Sequence, residues 1–371
     1  MKSVKRAILG VMAVATLLSL TGCSVNQKAE AKKVELNNMS LEKIIENAKE
    51  EGTVESVGMP DTWANWGETW EDMNTLYGIQ HNDIDMSSAE ELAIFEAEKN
   101  NATKDIGDVG RAFGPLAVDK GLTFSYKTSY WDDIPDWAKD EEGNWIIGYY
   151  GTISIITNKD LVTTPPTSFA DILKGDYVVS VGDVTKASQA QNAVLSAAIA
   201  MGGSEADIQP GLDFFKKLAE QGRLDLGELS LTRLEKGEVA VALLWDYNAL
   251  GYRDQFITNN SKSNFDVCIP SDGAIQSGYC TIINAYSKHP YAAALTREYI
   301  LSDEGQINLA KGYAKPVRSS VVLPAEVKAK MIPDDQYGNA RMIEDYSAWE
   351  ETSKTIGTLW QENVIAYAKS K

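Results

Sequence analysis

Gly151-Thr152-Ile153-Ser154-Ile155-Ile156-Thr157 closes an apolar, β-branched run that starts at Trp145 and ends at Asn158, and Pro165-Pro166 follow it. Such a run reads as a strand, and prolines beyond its end halt further pairing. It predicts a strand that leaves a first lobe, so each flank should hold its own α/β set. Upstream, Ser40 can cap a helix whose Leu41, Ile44, Ile45 and Ala48 recur at i, i+3, i+4 and i+7 until Gly52. A strand over 54–57 comes next, then a helix marked by Trp66, Trp70, Met73 and Tyr77. A second strand, Ile84 to Met86, leads into Ser88 and Glu91, which stand at capping-box spacing before a helix with Leu92 and Phe95. Asp105 to Val109 is a third short strand. Downstream the alternation repeats, with a strand over 177–181, helices over 189–201 and 212–219, and a strand over 239–245. This alternation indicates an α/β protein with mixed, mainly parallel sheets flanked by helices, in which ligands gather where strands end and helices begin.

At the N-terminus Lys2, Lys5 and Arg6 precede an apolar stretch from Ala7 to Leu20, which is too short for a stable membrane span and has the order of an export signal. It ends in Leu20-Thr21-Gly22-Cys23, which resembles the lipobox of bacterial lipoproteins. The resemblance implies cleavage before Cys23 and lipidation of that residue. Residues 1–22 would then be a signal peptide and 23–39 a polar tether, leaving the protein exported and held at the outer face of a membrane. Loss of a 22-residue segment with three cations and no anion takes the chain from 371 to 349 residues and its net charge from −18 to −21. That length suits two domains, and that charge disfavours a nucleic-acid partner. Cys268 and Cys280 fall in predicted strands over 265–269 and 279–283, where a disulfide or two buried thiols both fit. With His81 and His289 as the only histidines and no CxxC pair, a metal site is not expected.

Leu301-Ser302-Asp303-Glu304-Gly305-Gln306 and Lys315-Pro316-Val317-Arg318 carry a further likeness, joined by Pro166-Thr167-Ser168-Phe169-Ala170-Asp171-Ile172-Leu173 and Gly237-Glu238-Val239-Ala240-Val241. From Ser40 onward the chain resembles the type 2 extracellular solute-binding proteins of ABC importers, in the branch associated with ferric iron, aminoethylphosphonate, thiamine and polyamines. The resemblance implies a two-lobe periplasmic-binding-protein type 2 fold, with a first lobe over 40–157, a second over 158–268, and a return over 269–371 that ends in helices. Hinge strands are implied near 151–153 and near Cys268 and Cys280, with a ligand enclosed between the lobes. The implied partners are a small-molecule ligand, permease subunits with their ATPase, and the membrane through the Cys23 lipid. A monomer without cofactor is expected.

The strand-end loops then supply the candidate ligand contacts. Asp61, Trp63, Asp183, Asp246 and Tyr247 offer carboxylates and aromatic faces for an amine. Ser88, Thr185 and Ser188 precede helices, and Arg111 ends a predicted strand, a set that suits an oxyanion such as a phosphonate or sugar phosphate. Each also has an ordinary role, because Ser, Thr and Asp at such positions are common helix caps. Iron-binding relatives use adjacent tyrosines in the second lobe; here the adjacent pair is Tyr149-Tyr150, ahead of that lobe, and Arg318 is open to either packing or ligand. No G-x-S-x-G, G-x-x-x-x-G-K-[ST] or H-E-x-x-H motif occurs, so no catalytic residues are assigned and an enzyme is not expected. The expected function is capture of an amine-bearing or zwitterionic solute for an ABC importer. An oxyanion or ferric iron is the alternative ligand, and a ligand sensor or an extracellular hydrolase the alternative role.

Overall fold

The computed structural model describes residues 35–259, 261 and 263–368; the expected export signal and Cys23 lie outside them. The fold begins earlier than Ser40, because Leu36 is buried and Asn37 Oδ1 accepts the Lys127 N–H at 2.7 Å. Twelve strands follow among the described residues. The first four are β1 (Thr53–Val57), β2 (Gln80–Ile84), β3 (Ile106–Gly110) and β4 (Thr123–Phe124). Then come β5 (Trp145–Asn158), β6 (Val179–Ser180), β7 (Leu224–Asp225) and β8 (Val241–Trp245). The last are β9 (Phe265–Cys268), β10 (Ala274–Asn284), β11 (Lys315–Pro316) and β12 (Ala340–Met342).

Their order is β2-β1-β3-β10-β5-β8-β6-β7, with the division falling inside β5. From Trp145 to Thr152 this strand pairs antiparallel with β10, beside which lie the parallel trio β3, β1 and β2. From Ile153 to Asn158 it pairs instead with β8 and β9, and β8 continues into parallel β6 and β7. One strand therefore belongs to two sheets, and its apolar, doubly buried character follows from being covered on both faces in each.

The same geometry decides the cysteines. Cys280 sits opposite Ile147 and Cys268 opposite Ile155, eight residues along one strand, or about 26 Å at strand rise. They are free thiols, and no disulfide can join them in this fold.

The Leu301 to Gln306 segment acts as a fastener. Ser302 caps the helix Asp303–Lys311, while Gln306 donates to the Gly148 carbonyl at 2.6 Å and accepts the Val317 N–H at 2.8 Å. Arg318 belongs to packing: it donates to Asp133 and Asp303 and lies over the Tyr130 ring. The C-terminal helix Tyr346–Asn363 does not stay on the first lobe, since Trp360 packs edge-on against Phe215 of the helix Gln209–Glu220 in the second.

Candidate functional site

A cleft of about 660 Å³ separates the two lobes, a size that suits a small organic molecule. Its first-lobe wall comes from the loop after β1, from Asp85 to Glu90, and from Asp108 in β3. Opposite stand residues 181–190 and the loop after β7, with Asn248, Tyr252 and Tyr279 between and Trp360 and Ile365 from the C-terminal segment.

The walls meet closely behind the cleft. Gly110 ends β3, and a Cβ there would collide with Ser188 Oγ, so glycine lets the second lobe approach. The Gly110 N–H donates to Ser88 Oγ at 3.0 Å. At the front, Lys186 of the second lobe donates to Glu90 of the first at 3.0 Å. Glu90 also closes the capping box of the helix Ser88–Glu98, accepting the Ser87 N–H, and these bonds hold its carboxyl down at about 2.

The box therefore sits one residue earlier than Ser88 and Glu91. That offset turns Glu91 inward, where its Oε2 accepts the Asp108 N–H at 2.9 Å and burial drives its carboxyl well above the usual range. Gly58, at a φ of +72°, runs against that buried carboxylate with no room for a side chain.

Asp108 is the least expected member. It is 1% exposed, and burial, with Asp83 nearby, pushes its carboxyl up to about 8 despite a bond from Tyr149. The Trp63 Nε1–H donates to Tyr149 Oη at 2.7 Å, and the Tyr149 O–H donates in turn to Asp108 Oδ2 at 2.6 Å. Among the described residues Asp108 Oδ1 has no hydrogen-bond partner. The Trp63 ring stands edge-on to Tyr247 and Tyr279, with centroids 5.7 and 5.5 Å away, which fixes the indole against the cleft.

Five of the residues expected to touch ligand line the cleft: Trp63, Ser88, Asp183, Thr185 and Ser188. Asp183 Oδ1 accepts the Thr185 N–H at 2.9 Å, so this pair partly satisfies itself. Four others lie elsewhere. Asp61 is exposed beside the lining Pro60 and Thr62. Arg111 turns away, its guanidinium between the rings of Trp145 and Tyr346 and its Nη1 donating to Glu350 at 2.8 Å. Asp246 is buried, where Oδ1 accepts the Thr152 and Tyr247 N–H groups and Oδ2 the Tyr337 O–H, so it braces the crossing strand. Tyr247 is buried in the aromatic cluster beside it.

The cleft also holds Asp85, Glu228, Tyr252 and Tyr279, none of which the sequence singled out. Burial raises the Asp85 carboxyl, helped by the charges of Asp83, Glu228 and Glu90. The available signal for Asp108 was a single carboxylate within a fully buried strand, Ile106-Gly107-Asp108-Val109-Gly110. Among the described residues the carboxylates on the lining are thus Asp85, Glu90, Asp108, Asp183 and Glu228, against one cation, Lys186, which is already bound to Glu90. Among the described residues no three His, Cys, Asp or Glu side chains group in a way that would hold a metal ion, and no helix is long and apolar enough to cross a membrane.

Residues 101–340 match the family described as bacterial extracellular solute-binding protein. No curated protein sequence matches the chain. Solved structures share its fold at low identity. The periplasmic binding protein AfuA from Actinobacillus pleuropneumoniae, with fructose-6-phosphate bound, is 18% identical at a TM-score of 0.66, over 84% of this chain and 98% of its own. The ferric binding protein from Campylobacter jejuni is 19% identical at 0.64, over 83% and 98%. A periplasmic thiamin binding protein is 16% identical at 0.67, over 84% and 95%.

Proposed function

This chain belongs to the bacterial extracellular solute-binding proteins, and from that premise we propose that it captures a small cationic or zwitterionic amine between its lobes and delivers it to the permease of an ABC importer, anchored through a lipid on Cys23. The family binds solutes without transforming them. The observation that carries the choice of ligand is the charge of the cleft: like-charged walls repel, and a cation between them turns that repulsion into attraction on closure. Trp63 and Tyr252 add aromatic faces for an ammonium or its alkyl part.

An oxyanion is less well served. It needs free N–H groups and a guanidinium. The helix Ser188–Ala200 does start on the cleft without a side-chain cap, but among the described residues no guanidinium accompanies it: Arg111 is spent on Glu350, Glu90 occupies the Ser87 N–H and Asp183 that of Thr185. Thermal shift of residues 24–371 against primary amines, phosphonates, sugar phosphates and ferric salts tests the ligand class, because binding to the folded state raises the melting temperature. Stabilisation by amines is expected; stabilisation by phosphorylated compounds alone would overturn it. Palmitate labelling that is lost in Cys23→Ala is the matching test of the anchor.

A further inference from the structure

Asp108 is held as a half-used carboxylate. Its Oδ2 is fixed by the Tyr149 O–H, which is oriented in turn by the Trp63 Nε1–H, so the group cannot swing to find another donor. Its Oδ1 is closed off from water and lacks a partner, although Asp108 is part of the cleft lining. A buried polar atom left unpaired costs free energy, and one that belongs to the lining of a ligand cleft can recover that cost from a partner the ligand brings. The acidic groups packed round it are Glu91 on the helix Ser88–Glu98, which accepts the Asp108 N–H and whose own carboxyl burial raises, and Asp83 on β2. From β5, β10 and the start of the helix Asp246–Thr258 it meets the phenols of Tyr149, Tyr279 and Tyr247. Arg111 follows at the end of the strand but gives its guanidinium to Glu350.

We propose that Asp108 Oδ1 is the anchor for an N–H of the ligand's ammonium, and that the arriving charge displaces the proton which this carboxyl carries in the empty protein. This rests on the cationic reading above and specifies it: the bound nitrogen is primary or secondary, since a quaternary ammonium has no N–H to give. The step balances as a neutral carboxylic acid and an ammonium going to a carboxylate–ammonium pair, with one proton released to solvent. Burial, which raises the empty carboxyl to about 8, makes the release visible near neutral pH, and an adjacent cation lowers it again. Affinity for the amine therefore rises with pH, by up to about tenfold per unit below 8.

Calorimetry on residues 24–371 with putrescine, spermidine and 4-aminobutyrate, at pH 7 in buffers of different ionisation enthalpy, reads the proton directly. The amine that binds most tightly is then compared with its N-trimethylated counterpart and titrated into Asp108→Asn. Release of about one proton is expected, with at least about tenfold weaker binding of the quaternary compound and loss of both release and affinity in Asp108→Asn. An amine that binds without proton release, and equally well to Asp108→Asn, would overturn the anchor while leaving a cationic ligand in place. If no amine binds and a sugar phosphate does, the cationic reading falls and the anchor with it. The proton count comes from the unaltered protein, so it decides the matter even where the variant folds poorly.

Discussion

Replacing Asp108 with asparagine should make the empty protein's stability less dependent on pH, with a sign that follows from burial. The carboxyl is raised from 3.8 to about 8, so between those values the folded chain holds a proton that the unfolded chain has released. Stability contributed by this group is therefore full below pH 4 and is lost as pH rises towards 8. One pH unit inside that window corresponds to at most about 1.4 kcal/mol, so the wild type should lose about 2–3 kcal/mol between pH 5 and 7 that Asp108→Asn does not. Glu91 is raised in the same direction and remains in both proteins, and removing the Asp108 charge next to it adds to the relief at high pH. Near pH 5 the variant has no such advantage, because the wild-type carboxyl is then neutral as well and the asparagine amide oxygen can accept the bond from Tyr149. The two curves should therefore converge towards pH 5 and separate towards pH 8. Urea unfolding of residues 24–371 without ligand, followed by tryptophan fluorescence from pH 5 to 8, measures the difference. Parallel curves over that range would refute the account of Asp108 as a carboxylate kept neutral by burial.

Arg111→Ala should lower stability by about 1–3 kcal/mol, through loss of its stacking on Trp145 and Tyr346 and of its partner Glu350, while leaving amine affinity unchanged in a binding titration. Lys186→Ala removes a cation from the cleft lining and frees Glu90; the half-exposed pair is worth less than about 1 kcal/mol to folding. Amine affinity in this variant should rise about threefold, most clearly at low salt. Burial raises the thiols of Cys268 and Cys280 to about 12, so in a Cys23→Ala background both should resist a thiol reagent in the folded state and both react in urea without reductant. Fewer than two reactive thiols after unfolding would mean a disulfide and would contradict the strand register.

Most of the scaffold could be read from local pattern. The cap at Ser40, the stop at Gly52 and the periodic tryptophans of 66–77 are short-range signals, and each element stands where those signals place it. The strand predicted at Ile84 to Met86 lies instead at Gln80–Ile84, because alternating half-exposed residues at an edge carry little apolar signal. The capping box moved by one residue because Ser87-Ser88 and Glu90-Glu91 offer two equal registers, and only packing of Glu91 under β3 selects between them.

The site was less legible. Trp63, Ser88, Asp183, Thr185 and Ser188 face the cleft because a strand-to-helix loop opens towards it in an α/β lobe, which is a local property. Arg111 and Asp246 occupy equivalent loop positions yet serve packing, since their partners Glu350 and Tyr337 come from a C-terminal segment far along the chain.

The sequence by itself determined the two-lobe plan, because strand–helix alternation recurs on both sides of one apolar run from Trp145 to Asn158 that reads as the crossing strand. It also determined the family, through residues such as Gln306, which is fastened to the Gly148 carbonyl of β5, and Arg318, which is fastened to the Leu301 carbonyl. Tertiary structure alone decided the charge of the cleft and the state of Asp108. Whether a carboxylate is a cap, an ion-pair partner or an unpaired buried group depends on its desolvation and on neighbours that the chain brings from distant positions, and neither is encoded in the residue's own surroundings in sequence.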